Sequence, residues 1–382
     1  MPNLLLLSSE FPPGPGGIGT HAYELARNLT HFGWTITVVT RQDYVTAAEI
    51  DYFNSQLSFP VYTLQEQASF LHEWFYRWRS IASKLTDADV VVVSGERMVW
   101  LTAALTKRYR LPWVAIGHGT ELGARPFPYG IVTRWAFQNA SAVICVSQYT
   151  SSQMHERGIY PKENHIIPNG ANAERFGTIA KEKLLAFKEQ HHLLNKNLLV
   201  TVGHVSERKG QDIVIRALPY ILKQFPDIHY LIIGLPTKQA NYMQLARDLN
   251  VESHVHFLGR VNDEDLVYYL NASDLFIMTS RYTAQGDFEG YGIAVIEAAL
   301  CGKPAIISRD SGLMEAIIDG KTGLSVPPES PQALAEAVIS LMANPSQLAQ
   351  FGRDAQERAA NEQTWSQIVR QYDLILRGMI AQ

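Results

Sequence analysis

Short runs of consecutive apolar residues recur along the whole chain and alternate with segments of helical periodicity. Residues Leu4–Ser8 are four leucines followed by serine, and Val90–Ser94 are four valines followed by serine. A strand without polar alternation is buried on both faces, as in parallel sheets covered by helices. We therefore expect an α/β fold built from doubly wound parallel sheets.

The strand-like runs form two series, and each series shows the same alternation of strands and helices. A length of 382 residues is sufficient for two domains. The runs of the first series are Leu4–Ser8, Thr35–Thr40, Val90–Ser94, Trp113–Ile116, Ala142–Ser147 and His165–Ile167. Those of the second series are Leu198–Val202, His229–Ile233, His254–Leu258, Asp274–Thr279 and Pro304–Ile307. We predict domains at 1–175 and 176–363, facing each other across a cleft. Residues 364–382 are predicted to form a C-terminal helix, and this helix could pack against the first domain.

Composition excludes several classes of protein. The net charge of −4 provides no basic surface for nucleic acid. Cys145 and Cys301 lack metal-ligand spacing and are predicted to be buried, reduced thiols. The N-terminus has no basic segment of a signal peptide, and no run approaches the ~18 apolar residues of a membrane span. We expect a cytoplasmic protein.

The segment Glu289–Glu297 carries the strongest functional signal. A predicted buried strand and the polar loop 280–288 precede it, and Gly-Tyr-Gly then leads into an apolar helix. Free N–H groups at such a helix start are suited to phosphate. Glu289 at the loop and Glu297, expected two turns into the helix, could each accept hydrogen bonds from vicinal hydroxyls.

A glycine-rich loop follows the first strand. Gly14, Gly16 and Gly19 match the dinucleotide pattern GxGxxG, but the interspersed prolines make a long, stiff loop. The next predicted strand ends without an acidic residue for an adenine ribose, which disfavours NAD. A loop that lines a ligand cleft is favoured over a purely structural turn.

Two further motifs follow predicted strands. His118 lies between two glycines in Gly-His-Gly-Thr-Glu, at the strand end where open α/β sheets place ligands. It is a binding-site candidate or a turn histidine, and Glu121 is a binding-site carboxylate or a helix cap. Arg208 and Lys209 follow the first strand of the second series and are either a diphosphate clamp or solvated surface cations.

Two other patterns have competing interpretations. Two segments resemble a metal-binding DxD motif, Asp87-Ala-Asp89 and Asp263-Glu-Asp265. The first precedes a predicted strand, and the second is predicted to form the first turn of a helix, where acidic residues suit the helix dipole. We therefore predict no metal site. The aromatic segment 70–85, which contains Arg77, Arg79 and Lys84, is core packing or a helix that faces an acceptor or a membrane.

Taken together, the motifs resemble glycosyltransferase family 4, the retaining family with the GT-B fold. The resemblance spans nearly the whole chain in the expected order. It rests on Gly16-Gly17-Ile18-Gly19, His118, the stretch 168–176, Arg208-Lys209-Gly210, Glu289–Glu297 and the stretch 319–324. Many relatives carry Arg where this chain has His204, so either His204 or Arg208 replaces that cation.

The resemblance implies a nucleotide diphosphate sugar held mainly by the second domain. Glu297 would bind the ribose, Glu289 the sugar being moved, and Lys209 with Arg208 the departing diphosphate. The backbone of the helix start would bind phosphate and comprises Gly290, Tyr291, Gly292 and Ile293.

The resemblance also implies roles for the first domain. His118 would bind the donor sugar and act with Glu289, Lys209 and Arg208 in catalysis. Gly17 would approach the phosphate or the acceptor, and Gly16, Gly17 and Glu121 are assigned to the acceptor side. Family members generally need neither metal nor another cofactor.

We expect transfer of a hexose to a hydroxyl group of a polysaccharide or lipid-linked acceptor. UDP-glucose is the favoured donor, and GDP-mannose is the alternative. Such an acceptor implies peripheral contact with the inner face of the plasma membrane. The alternatives from other classes are a sugar-nucleotide epimerase, a phosphorylase and a non-catalytic nucleotide-binding module.

Overall fold

A computed structural model describes residues 1–65, 70–123 and 128–381, so Gln382 of the predicted C-terminal segment lies outside the described residues. The chain forms two compact units. The first comprises residues 1–169, 285–287 and 365–382, and the second comprises residues 170–284 and 288–364.

The first unit is built on a seven-stranded sheet with the order β3-β2-β1-β4-β5-β6-β7, in which all neighbours pair in parallel. Its strands are β1 (Asn3–Ser8), β2 (Thr35–Thr40), β3 (Val61–Thr63), β4 (Val90–Ser94), β5 (Trp113–Gly117), β6 (Ala142–Cys145) and β7 (Asn164–Ile166). All five residues of β4 and of β5 are buried, as the unbroken apolar runs predict.

Helices connect these strands, as parallel pairing requires. They are α1 (Gly17–His31), α2 (Ala47–Ser55), α3 (Phe70–Leu85), α4 (Glu96–Tyr109), α5 (Tyr129–Asn139) and α6 (Gln148–Glu156). The C-terminal helix Trp365–Ile380 belongs to this unit and packs against α1.

The second unit repeats the architecture with a six-stranded parallel sheet of order β10-β9-β8-β11-β12-β13. Its strands are β8 (Asn197–Val202), β9 (Ile228–Ile233), β10 (Val255–Gly259), β11 (Leu275–Met278), β12 (Ala305–Ser308) and β13 (Gly323–Val326). Its helices are α7 (Lys181–Gln190), α8 (Gln211–Ile221), α9 (Gln239–Asp248), α10 (Asp263–Ala272), α11 (Ile293–Leu300), α12 (Pro331–Met342) and α13 (Pro345–Glu362). The C-terminal helix is α14.

The strand order reverses once in each sheet, between β1 and β4 in the first unit and between β8 and β11 in the second. At such a point the connections leave the sheet in opposite directions, and a crevice opens beyond the carboxyl ends of the two strands. The glycine loop follows β1, Arg208 and Lys209 follow β8, and the segment that leads to Glu289 follows β11. The fold therefore brings the glycine loop, the Arg208-Lys209 pair and the segment of Glu289 to the switch points of their units.

Helix α3 has a core face, as one sequence interpretation predicts, and an exposed aromatic side. Arg77 and Ile81 are buried, so one face is core, but Phe75 and Trp78 are 66% and 37% exposed. The Lys84 ammonium lies 3.8 Å from the centroid of the Tyr62 ring. Within the described residues, no helix combines the length and the apolar character needed to cross a membrane.

Candidate functional site

The Arg208-Lys209-Gly210 segment is fixed to the end of β11 by its backbone. The Arg281 N–H donates to the Arg208 carbonyl over 2.8 Å, and the Thr279 hydroxyl donates to the Gly210 carbonyl over 2.8 Å. Gly210 has a φ of 69° at the start of α8, a conformation that favours glycine. Both cations are thereby held on the loop where β8 and β11 diverge.

Glu289 binds both of these cations through one oxygen. Its Oε2 forms an ion pair with Arg208 Nη1 and lies 2.8 Å from Lys209 Nζ. The Ser280 hydroxyl donates to the same oxygen over 3.4 Å. The side chains of Glu289 and Lys209 are 10% and 12% exposed, so these pairs are formed largely out of solvent.

Opposing effects set the charge of this cluster. Burial alone would raise the pKa of Glu289, but the positive charges of Arg208 and Lys209 outweigh it and lower that pKa to about 2. Burial lowers the pKa of Lys209, and the Glu289 carboxylate opposes that shift. Glu289 is therefore an anion at neutral pH, and a second anion can compete with it for the cations.

The start of α11 lies directly after Glu289. The Gly312 N–H donates to the Glu289 carbonyl over 3.0 Å, and Gly292 caps the helix with a φ of 91°. The Val295 N–H donates to the Gly292 carbonyl over 3.0 Å, and the helix itself offers no acceptor to the N–H groups of the two residues before it. This backbone has the polarity that binds phosphate.

One predicted residue of this segment, Glu297, lies differently from the expectation. Glu297 is four residues after Ile293, about one turn into α11, rather than two turns, because the helix begins only after Gly292. Tyr291 is 3% exposed and its hydroxyl accepts from Gln363 Nε2 over 3.2 Å, so its side chain belongs to the core. Its backbone, with that of Gly290, remains part of the segment.

The two candidates for the replaced cation have different partners. Arg208 pairs with Glu289, whereas His204 Nε2 hydrogen-bonds the Thr237 hydroxyl. Burial and the charges of Arg208 and Lys209 lower the pKa of His204. This arrangement favours Arg208 as the cation that faces an anionic ligand.

In the first unit, the glycine loop leads directly into α1. Gly16 is the N-cap, and Gly17 is the first helical residue. A Cβ atom at Gly17 would meet no other atom within 4 Å, so a ligand can approach the backbone there. The position therefore fits the predicted role of Gly16 and Gly17 as a binding surface.

His118 lies at the end of β5, beside the end of β4. Its Nε2 is 3.2 Å from the Ser94 hydroxyl, and its backbone N–H donates to Glu121 Oε1 over 2.8 Å. Burial lowers the pKa of His118 to about 3 and raises that of Glu121 to about 7. The structure therefore presents a neutral imidazole on a turn that a buried carboxyl group holds.

Several residues near these sites were not predicted from the sequence. Ser280 and Ser94 contact Glu289 and His118, and they are single serines at strand ends with no motif around them. His21 lies against His118 with ring centroids 4.6 Å apart, and Tyr372 hydrogen-bonds His21. The available signal was a histidine four residues after Gly17 in an amphipathic helix.

The acidic pairs occupy structural positions. Asp89 accepts a hydrogen bond from the Asn3 N–H over 2.7 Å, and Asp263 and Asp265 lie in the first turn of α10. Over the described ranges, no group of three or more His, Cys, Asp and Glu side chains is arranged to hold a metal ion.

Comparison with protein families gives two matches that together span most of the chain. Residues 15–175 match "Glycosyltransferase Family 4", and residues 184–358 match "Glycosyl transferases group 1".

Individual relatives agree with these matches. A GDP-mannose-dependent alpha-(1-6)-phosphatidylinositol monomannoside mannosyltransferase of Mycolicibacterium smegmatis is 32% identical over 66% of each chain. A glycogen synthase of Mycobacterium tuberculosis is 26% identical over 96% of this chain and 92% of its own. Anabaena HepE, solved in complex with UDP and glucose, superposes with a TM-score of 0.86 at 22% identity, over 99% of this chain and 100% of its own. The last similarity supports the GT-B fold.

Proposed function

The chain belongs to the group 1 and family 4 glycosyltransferases, and we propose that it transfers a hexose, with retention of configuration, from a nucleotide diphosphate sugar to an acceptor hydroxyl. The observation that carries the proposal is the sharing of Glu289 by two cations at the switch point of the second unit. Adjacent Arg and Lys side chains complement a diphosphate, and the start of α11 adds backbone donors.

In the proposed reaction, the bond between C1 of the sugar and the β-phosphate oxygen breaks. The acceptor oxygen bonds to C1 on the same face, and its proton passes to the departing phosphate oxygen. Arg208 and Lys209 neutralise the charge that develops on the diphosphate, which is the usual source of electrostatic stabilisation in such sites. No side chain forms a covalent intermediate, and no metal is required because the two cations supply the counter-charge.

The remaining predicted residues bind and orient the substrates. Glu297 is assigned to the ribose hydroxyls, Glu289 and His118 to the transferred sugar, and the segment around Gly292 and Ile293 to the phosphates. Gly16 and Gly17 are assigned to the acceptor side, whereas the buried Glu121 supports the turn that carries His118. Positioning of this kind accounts for much of the rate of a two-substrate reaction.

Two nucleotide sugars, UDP-glucose and GDP-mannose, are the candidate donors. UDP-glucose is the donor expected from the sequence. GDP-mannose is favoured by relatives at 31–32% identity, the mannosyltransferases of Corynebacterium glutamicum and M. smegmatis, whose names specify that donor. These two relatives also act on phosphatidylinositol mannosides by name, which supports a lipid-linked acceptor and, through it, peripheral membrane contact.

The test is a panel of UDP-, GDP- and ADP-hexoses, scored by thermal shift and by release of the nucleotide. A ligand that binds the folded state raises its stability by about 2.7 kcal/mol at a concentration of 100 Kd, so the true donor will stand out. Proton NMR of the first sugar released to water or acceptor then gives the stereochemistry. A product of inverted configuration would exclude the retaining mechanism, and an epimerised donor would establish an epimerase instead.

A further inference from the structure

Behind His118 lies a second histidine that no predicted motif uses. His21 is fully buried in α1, and its ring meets that of His118 edge to face, with centroids 4.6 Å apart and an interplanar angle of 83°. His118 is only partly buried, so it is the accessible member of the pair. His21 can therefore act on a ligand through His118.

The other side of His21 is fixed by the C-terminal helix. His21 Nε2 is 3.0 Å from the hydroxyl of Tyr372, a residue of α14 that is 0% exposed. Trp365, at the start of α14, packs edge to face on the same imidazole with centroids 5.2 Å apart. His118, Trp365 and Tyr372, all distant from His21 in sequence, thus enclose its ring.

This enclosure restricts the chemistry of the pair. Burial, followed by the proximity of His118, holds the pKa of His21 well below its usual value, and burial raises the pKa of Tyr372. The rings are therefore neutral and the phenol keeps its proton, so the contact between His21 and Tyr372 is a hydrogen bond between neutral groups. Such a bond restrains rotation of the imidazole without placing a charge behind His118.

We propose that His21, anchored by Tyr372, is a positioning residue that fixes the His118 imidazole in the orientation that binds the transferred sugar. This inference rests on the proposed function, which assigns His118 to the sugar. It also gives α14 a role in the site beyond covering the first unit. The alternative is that Tyr372 only secures α14 to α1.

The matched control distinguishes these roles. Trp34 Nε1 donates to Asp373 Oδ1 over 2.7 Å, so Trp34→Phe removes a hydrogen bond that secures the same helix one residue away from Tyr372. Tyr372→Phe removes only the hydroxyl that contacts His21. If loosening of α14 were the cause of a defect, both variants would show it.

The experiment measures the affinities of the full-length protein for UDP and UDP-glucose, or for GDP and GDP-mannose, according to the donor panel. The ratio of the two affinities isolates the contribution of the sugar. We expect Tyr372→Phe and His21→Ala to lower this contribution about three- to ten-fold while the nucleotide diphosphate binds as before. Trp34→Phe should keep the wild-type ratio.

Each result has a definite meaning. If His118→Ala leaves the sugar contribution unchanged, the proposed role of His118 is wrong. If His118→Ala removes the sugar contribution but Tyr372→Phe and His21→Ala do not, the positioning role of His21 is wrong.

A second readout, by NMR, needs no donor. The ring ¹⁵N resonances of His118 should be sharp in the wild type and in Trp34→Phe, and broadened or doubled in Tyr372→Phe. Unchanged resonances would overturn the proposal.

Discussion

Lys209 Nζ lies 2.8 Å from Glu289 Oε2, and the same oxygen pairs with Arg208. One carboxylate therefore satisfies the two cations that are proposed to bind the diphosphate. A diphosphate that takes these cations displaces Glu289 from them. On the proposed function, the carboxylate then becomes available to the hydroxyls of the sugar, and we predict that binding of the two halves of the donor is coupled.

The first prediction concerns Glu289→Gln. Removing the competing anion should strengthen binding of UDP or GDP alone about ten-fold, because the cations no longer have to release the Glu289 carboxylate before they bind the diphosphate. Transfer should fall roughly ten- to hundred-fold, because the sugar loses a charged hydrogen-bond acceptor. Calorimetric titration and steady-state kinetics measure the two effects.

Glu297→Gln provides the matched control, since it changes the other carboxylate of the same segment in the same way. If Glu297 binds the ribose, this variant should weaken nucleotide binding, which is the opposite direction. Weaker UDP and GDP binding in Glu289→Gln as well would contradict the exchange of anions.

The second prediction concerns the backbone of the cationic loop. In Gly210→Ala, the new Cβ would collide with the backbone carbonyl of Thr279, at a residue whose φ of 69° already disfavours alanine. We expect a loss of about 2 kcal/mol or more in unfolding free energy and donor affinity at least ten-fold weaker.

Gly320→Ala serves as its control, because Gly320 has a φ of 77° but no atom within 4 Å of a new Cβ. It should cost only about 1 kcal/mol of backbone strain and leave donor affinity unchanged. Equal effects of the two substitutions on donor affinity would show that the position of Lys209 does not depend on Gly210.

The third prediction is a pH dependence from Glu121. Burial raises its pKa to about 7 in the folded state from 4.5, so folding favours the protonated form. The stability that this group contributes is complete below pH 4.5 and is lost as the pH rises through 7, by an upper bound of about 3 kcal/mol. Glu121→Gln should lose less stability than the wild type between pH 5 and pH 8, as measured by urea unfolding. Parallel pH profiles would show that the carboxyl group does not titrate in this range.

The fourth prediction concerns α3. Phe75 and Trp78 expose aromatic surface on one side of a helix whose Arg77 and Ile81 are buried. If the acceptor is membrane-borne, Phe75→Ser with Trp78→Ser should reduce sedimentation with vesicles of anionic phospholipid while thermal stability stays close to wild type. Leu185→Ser, at a 47% exposed leucine of the second unit, is the control for a general loss of surface apolarity. Unchanged sedimentation of the double variant would exclude α3 as the contact.

The sequence predicts the interior of both sheets and the edge strands β7 and β10, but it misses the opposite edge strand of each sheet. Two short strands were missed, Val61–Thr63 and Gly323–Val326, and each is the outermost strand of its sheet. An edge strand pairs on one side only, so it needs neither the length nor the unbroken apolar run that marks a central strand. The central strands were predictable because burial on both faces excludes polar residues.

The site shows the same distinction. The family resemblance predicted that Arg208, Lys209 and Glu289 serve one ligand, and in the structure each follows a strand at the carboxyl edge of one sheet. The enclosure of His21 by Tyr372 was not predictable, because a histidine and a tyrosine on the inner faces of two helices have the pattern of ordinary core residues. Only the packing of α14 against α1 brings them together.

The most direct test of the central claim is the initial rate of nucleoside diphosphate release from UDP-, GDP- and ADP-hexoses by the wild type and by Lys209→Met. The substitution keeps an unbranched side chain and removes the charge that lies 2.8 Å from Glu289 Oε2. We predict that one donor is cleaved by the wild type and that Lys209→Met reduces this rate roughly ten- to hundred-fold, since a charge-assisted contact contributes about 1.5–3 kcal/mol. A Lys209→Met rate equal to that of the wild type, or no cleavage of any donor by the wild type with or without added acceptor, would contradict the account.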